Sequence, residues 1–163
     1  MAEVIALRGA WAEDYALATP GQTSRVGLES LPTEWNVADR VVVAGATVDH
    51  VVVGPNGVFT ISIDPDPTPA SVGDDGIYRG GARVTTPVKQ ALLTAHMLRR
   101  ESQGRLFAYP ILVAPVDASP ACLDRLGVIP GDRIAEYIWS HPGLPLRRSQ
   151  RQEILWSLGR PSR

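Results

Sequence analysis

The stretch that most constrains this chain is Arg40–Ile63, where β-branched residues are punctuated by glycine-marked turns. Arg40–Val43 and Thr47–Val53 are rich in valine and threonine, and Ala44-Gly45-Ala46 between them separates two strands. Gly54-Pro55-Asn56-Gly57 is then a tight-turn signal, because asparagine before glycine accepts the positive φ that hairpin turns need. Val58–Ile63 follows as a third strand, so 40–63 predicts three antiparallel strands. The unbroken valine run 51–53 implies burial on both faces, and helices are expected to cover the sheet. Side chains alternate along Thr47–Val53, which puts Asp49 with Thr47 and Val51 and turns His50 to the opposite face. There His50 is expected to be a core histidine hydrogen-bonded to backbone.

Around this unit the helical signals are clear. In residues 1–20, Leu7, Trp11 and Tyr15 recur at four-residue spacing, an amphipathic arm that ends at Thr19-Pro20-Gly21. A short helical candidate at Val26–Leu31 is stopped by Pro32. Asp64–Asp75 mixes prolines and glycines with acidic residues and reads as a solvated loop, with a short strand at Gly76–Arg79. Thr86-Pro87 starts a helix, threonine as cap and proline at the first helical position. Val88, Ala91, Leu92, Ala95 and Leu98 then share one face, Arg99-Arg100 suit the negative end, and Gly104 stops it. Leu106–Val113 predicts a buried strand, 132–140 an amphipathic helix, and Ser149–Leu158 a last helix before a basic tail. This order argues for an α/β sandwich. It divides into an arm at 1–20, an α/β domain at 21–145 and a basic helix and tail at 146–163.

With 163 residues the chain can bury a core without disulfides or a structural metal. Its one cysteine, Cys122, excludes an internal disulfide and reads as a small buried hydrophobe. No Cys/His cluster has zinc-ligand spacing, and no Gly-x-Ser-x-Gly elbow or phosphate-binding glycine loop is present. No apolar run reaches the roughly 18 residues of a membrane span, and the first residues lack a signal-peptide pattern, so a cytoplasmic location is expected. His96 is expected at the surface and His141 in a loop. Residues 1–75 hold 3 arginines against 11 acids, whereas 76–163 hold 13 basic residues against 6 acids. The basic half supplies candidate nucleic-acid contacts at Arg79, Arg83, Arg99, Arg100, Arg147, Arg148 and Arg151. Lys89 is the only lysine.

VDHVVVGPNGVFTISI, followed about 24 residues later by TPVKQALLTAHML, resembles the nuclease-related domain (NERD) family, a branch of the PD-(D/E)xK nucleases. Members show Ile-Asp-His, a valine run, Gly-Pro-x-Gly-Val-Phe, an immediate Glu-x-Lys, and later Asn-Pro-x-x-Gln opening a helix. The resemblance spans about 21–115 and implies a restriction-endonuclease-like central mixed sheet flanked by helices. It matches Asp49 to the metal-binding aspartate, His50 to its neighbour, and Gln90 to the glutamine. The Glu-x-Lys step falls on Ser62-Ile63-Asp64, and the first helix reads GQTSRVGL, without the family's Gly-Glu.

The resemblance therefore implies a catalytically degenerate domain, acting in nucleic-acid binding or protein assembly and needing no cofactor. The alternative is a nuclease that holds Mg or Mn at Asp49 and Asp64 and uses Lys89 and Gln90 beside them. The expected partners are DNA, another protein or a second copy of the chain, and no membrane.

Overall fold

The computed structural model describes residues 27–116, 121–123 and 125–158; the expected arm at 1–20 lies outside them. Strands β1 (Asn36–Val43), β2 (Ala46–Gly54) and β3 (Gly57–Ile63) form the antiparallel meander that the valine-rich stretch predicts. The β1–β2 loop is two residues, Ala44 and Gly45, both at positive φ (49° and 82°). That backbone matches the right-handed strand twist and keeps the hairpin tight.

After β3 the chain makes a small antiparallel sheet of β4 (Ser71–Val72), β5 (Ile77–Arg79) and β6 (Ala82–Val84). Helix α1 (Thr86–Glu101) leads back to β7 (Ala108–Val113), which lies parallel to β3. Strands β8 (Ala121–Leu123) and β9 (Leu126–Ile129) complete a six-stranded mixed sheet in the order β1-β2-β3-β7-β9-β8. A 3-10 turn at Gly131–Arg133 enters α2 (Ile134–Ser140), and α3 (Arg148–Leu158) follows.

Helices cover both faces, so the protein is an α/β fold. On one face Val51, Val53 and Val58 pack with Ala95 and Leu98 of α1 and Leu155 of α3. On the other, Val52, Phe59, Ile61 and Ile111 meet Ile134 and Ile138 of α2, with Leu28 and Trp35. Ile134 and Ile138 are fully buried, each stabilising the layer by roughly 1.5–3 kcal/mol. Helix α1 begins one residue before the predicted start: Thr85 is its cap, without a side-chain cap bond, and Thr86 is already helical. Leu92, expected on the buried face, is 41% exposed.

The Gly54–Gly57 turn forms as expected, for a different reason. Positive φ falls on Gly57 (136°), and Asn56 works through its side chain. Its amide nitrogen donates to the carbonyl oxygens of Ile138 (2.6 Å) and His141 (3.1 Å), while its oxygen accepts the Trp35 indole N–H at 3.1 Å. One turn residue thereby ties the hairpin tip to the end of α2 and to the segment before β1.

Candidate functional site

Asp49 and Asp64 are carried to the same end of the sheet by the β2–β3 register. The ladder between these strands stops at the pair His50–Ile61. The half-buried Asp49 takes over one step beyond, its Oδ2 accepting the Ile63 N–H at 2.8 Å. The next backbone N–H, of Asp64, donates to the Val113 carbonyl at 2.8 Å and anchors Asp64 beside β7. Ser62, half-buried, lies where the resemblance puts a glutamate.

From Asp64 the sequence Asp-Pro-Asp-Pro-Thr folds as two successive Asx turns. Asp64 Oδ1 accepts the Asp66 N–H at 3.0 Å, and Asp66 Oδ1 accepts the Thr68 N–H at 2.9 Å. The prolines between them remove donors that would otherwise need partners. The segment expected as a solvated loop thus presents a row of oxygens, with Asp64 itself buried.

Arg79 fills that row. It is delivered by β5, and the small sheet is held to the main one by Ala70, which bridges to Val116 and donates its N–H to the Pro115 carbonyl at 2.9 Å. Arg79 Nη2 donates to Asp64 Oδ2 at 2.7 Å, and Nε donates to the Thr68 carbonyl at 2.9 Å. Nη1 pairs with Asp66 Oδ2 at 3.3 Å. The Asp64 carboxylate is 1% exposed and the Arg79 side chain 15%. The hydrogen bond to Asp64 raises the Arg79 pKa above its ordinary value, against a smaller opposing effect of burial. Hydrogen bonds from Thr68, its backbone N–H foremost, hold the Asp66 carboxyl below its usual range, and the Arg79 charge adds to this.

This donor set does not fit a magnesium or manganese ion. Both Asp64 oxygens accept protein donors, one of them a guanidinium, and one Asp49 oxygen caps a strand. A hard cation wants several oxygens unopposed by a neighbouring positive charge. Among the described residues no three His, Cys, Asp or Glu side chains form a group that could hold a metal. Lys89 and Gln90 are exposed on the first turn of α1, and no hydrogen bond or ion pair joins either to Asp49 or Asp64.

His50 is fully buried as expected, and a side chain partners its imidazole. Its Nδ1 lies 2.7 Å from Oδ1 of Asp39, itself 4% exposed. The sequence carries a signal for this pair: the Ala44-Gly45 turn fixes a register that places Asp39 opposite His50. Cys122, expected inside, is exposed. His96 is exposed, and His141 follows α2, its ring half-buried among Phe59, Tyr109 and Tyr137.

The other arginines of the basic half are spread over separate elements. Arg83, on β6, donates to the Asp75 carbonyl at 2.7 Å; Arg99 and Arg100 are exposed at the end of α1. Arg147 and Arg148 are exposed at the start of α3, and Arg151 is half-buried, donating to the Leu146 carbonyl at 3.4 Å. Arg79, by contrast, is committed to a buried carboxylate.

Among the described residues no helix is long and apolar enough to cross a membrane. No family model matches the chain, and neither a curated protein nor a solved structure matches it.

Proposed function

We propose that this chain is a catalytically silent domain of the nuclease-related type, working by binding nucleic acid. The observation that carries the reading is the Arg79–Asp64 pair, 2.7 Å long and buried. Asp64 stands at the position where the resemblance expects a catalytic lysine, and the guanidinium that neutralises it comes from an inserted sheet. The frame supports the comparison: a mixed sheet with helices on both faces, Asp49 in β2 and Gln90 on the following helix. A metal-dependent nuclease using Asp49, Asp64 and Lys89 would have to expel Arg79 before a cation could enter.

The excess of basic residues after position 75, mostly arginine, favours a polyanionic partner. The test is a pair of measurements on the purified chain. With Mg²⁺ or Mn²⁺ and single- or double-stranded DNA and RNA, no cleavage is expected. Binding to the same molecules is expected to weaken steeply with salt, as counterion release demands. Cleavage that disappears in Asp49→Ala would restore the enzyme reading. Absent or salt-independent binding would remove the nucleic-acid one.

A further inference from the structure

The six-stranded sheet has a notch. Strand β7 pairs with β3 along its whole length, from Val58–Ala108 to Ile63–Val113, but β9 joins its other side only at Ile111. The first half of β7 is therefore an open edge, with Pro110, which has no N–H to offer a neighbour, as its last residue. Helix α1 lies along one side of the notch and the end of α2 along the other, with the β8–β9 turn beyond. The result is a cleft of about 390 Å³, within the range of roughly 300–1,000 Å³ that small-molecule-sized groups occupy.

The lining has a definite chemistry. Phe107, Tyr109 and Tyr137 contribute rings, with the His141 imidazole packed against the two tyrosines. His96 and Arg99 come from α1 and Arg125 from just before β9, and among the described residues no acidic side chain lines the cleft. Phe107 is 40% exposed and stands edge-on to Tyr109, ring centres 5.0 Å apart. The Arg99 guanidinium lies over the Phe107 ring at 5.7 Å, so a planar cation already uses that face. Tyr109 and Tyr137 are packed: the Tyr109 hydroxyl accepts the Leu144 N–H at 3.2 Å, and Tyr137 lies against Gly127, where an added Cβ would come within 2.7 Å of its hydroxyl. The floor of the cleft is thus closely packed, and its exposed lining includes Phe107, Arg99 and Arg125 along with Leu92, His96 and Cys122.

We propose that this cleft holds one nucleotide of a single-stranded nucleic acid, with the base against Phe107 and the flanking phosphates on Arg99 and Arg125. An exposed aromatic ring flanked by arginines suits a stacked base and a polyanionic backbone together. A base inserted between α1 and the β7 edge cannot stay paired in a duplex, so single strands are the substrate class. The inference rests on the nucleic-acid reading above and deepens it. It also moves the contact away from Asp49 and Asp64, to residues that the motif comparison does not touch.

Cys122 makes the assignment measurable, because it is the chain's only cysteine, is exposed and lines the same cleft. Its rate of modification by a disulfide reagent such as DTNB reports whether the cleft is occupied. Saturating the full chain with a fluorescent single-stranded oligothymidine should slow that rate severalfold. Phe107→Ala should weaken the same binding by about tenfold, as loss of one stacked base does. Arg125→Ala, at an exposed turn, is a second variant that spares the core. If the oligonucleotide binds but neither the thiol rate nor either variant's affinity changes, the cleft assignment fails and the nucleic-acid reading stands. If no nucleic acid binds even at low salt, both fail.

Discussion

Arg79 reaches across from an inserted three-stranded sheet to bond the buried Asp64 carboxylate at 2.7 Å, adding to the isolated bridge at Ala70–Val116 and to the core that Ile77 shares with Leu112 and Val128. Removing the arginine leaves a carboxylate desolvated and unopposed. Arg79→Ala is expected to destabilise the fold by about 2–4 kcal/mol, read as a lower urea midpoint. Adding Asp64→Asn should return part of the loss, because the buried charge then disappears with its partner. A double variant no more stable than Arg79→Ala would mean that the carbonyl contacts of Arg79 to Thr68 and Asp66, and not the ion pair, dominate.

The Asp39–His50 pair is a second buried polar contact that spans a strand pair. Asp39→Ala withdraws the carboxylate from an imidazole that is wholly inside the protein. A cost of roughly 2–4 kcal/mol is expected, and Asp39→Asn, which keeps an acceptor in place, should lose less. Equal losses in the two variants would show that charge, and not the hydrogen bond, holds the pair together.

How far these arrangements are legible in the sequence depends on how local their causes are. The β1–β3 meander is readable because valine runs and two-residue turns act over a few neighbours. Helix α1 is readable from its spacing and from Pro87, with an error of one residue at the cap. Strands β4, β6, β8 and β9 escape notice because they are two to four residues long, too short for alternation to register. Gly80-Gly81 was a usable hairpin signal for β5–β6, and both glycines do adopt positive φ (57° and 80°).

The candidate site was legible by halves. Asp49 and Asp64 share one end of the sheet through the β2–β3 register. Their neutralisation was not visible, since Arg79 lies fifteen residues beyond Asp64 in a strand whose docking is a tertiary event. The alternation of Asp and Pro at 64–67 pointed to a loop; that the aspartates would cap backbone N–H groups two residues on is the local rule that would have predicted its compactness. Cys122 fell outside because β8 is an edge strand of three residues.

The Gly54 position tests the packing of the hairpin on Trp35. A Cβ built there would lie 2.2 Å from the indole, and Trp35 is buried and bonded to Asn56, so it has little room to move. Gly54→Ala should cost about 1–3 kcal/mol by overpacking. Trp35 fluorescence is not specific enough in a chain with four tryptophans, so the readout is the thermal midpoint. A midpoint unchanged within about 1 °C would show that the indole shifts freely.

His141 predicts a pH dependence whose sign can be worked out. Burial lowers its pKa from the ordinary imidazole value near 6.5, and its buried Nδ1 has no hydrogen-bond partner. The ring lies 4.5 Å from Tyr109 and edge-on to Phe59 at 5.4 Å, where the neutral form packs. Well above pH 6.5 both folded and unfolded chains carry the neutral ring, and no penalty exists. As the pH falls through that value the unfolded chain takes up the proton first, so stability declines until the folded pKa is passed. His141→Phe keeps an aromatic ring and removes the proton site. Between about pH 7 and pH 5 its melting temperature should fall less than that of the native chain. Every other side chain is common to the two proteins, so the difference between the two curves isolates His141. Parallel curves would show that the ring is protonated in place at no cost, and that the aromatic cluster around it opens to water.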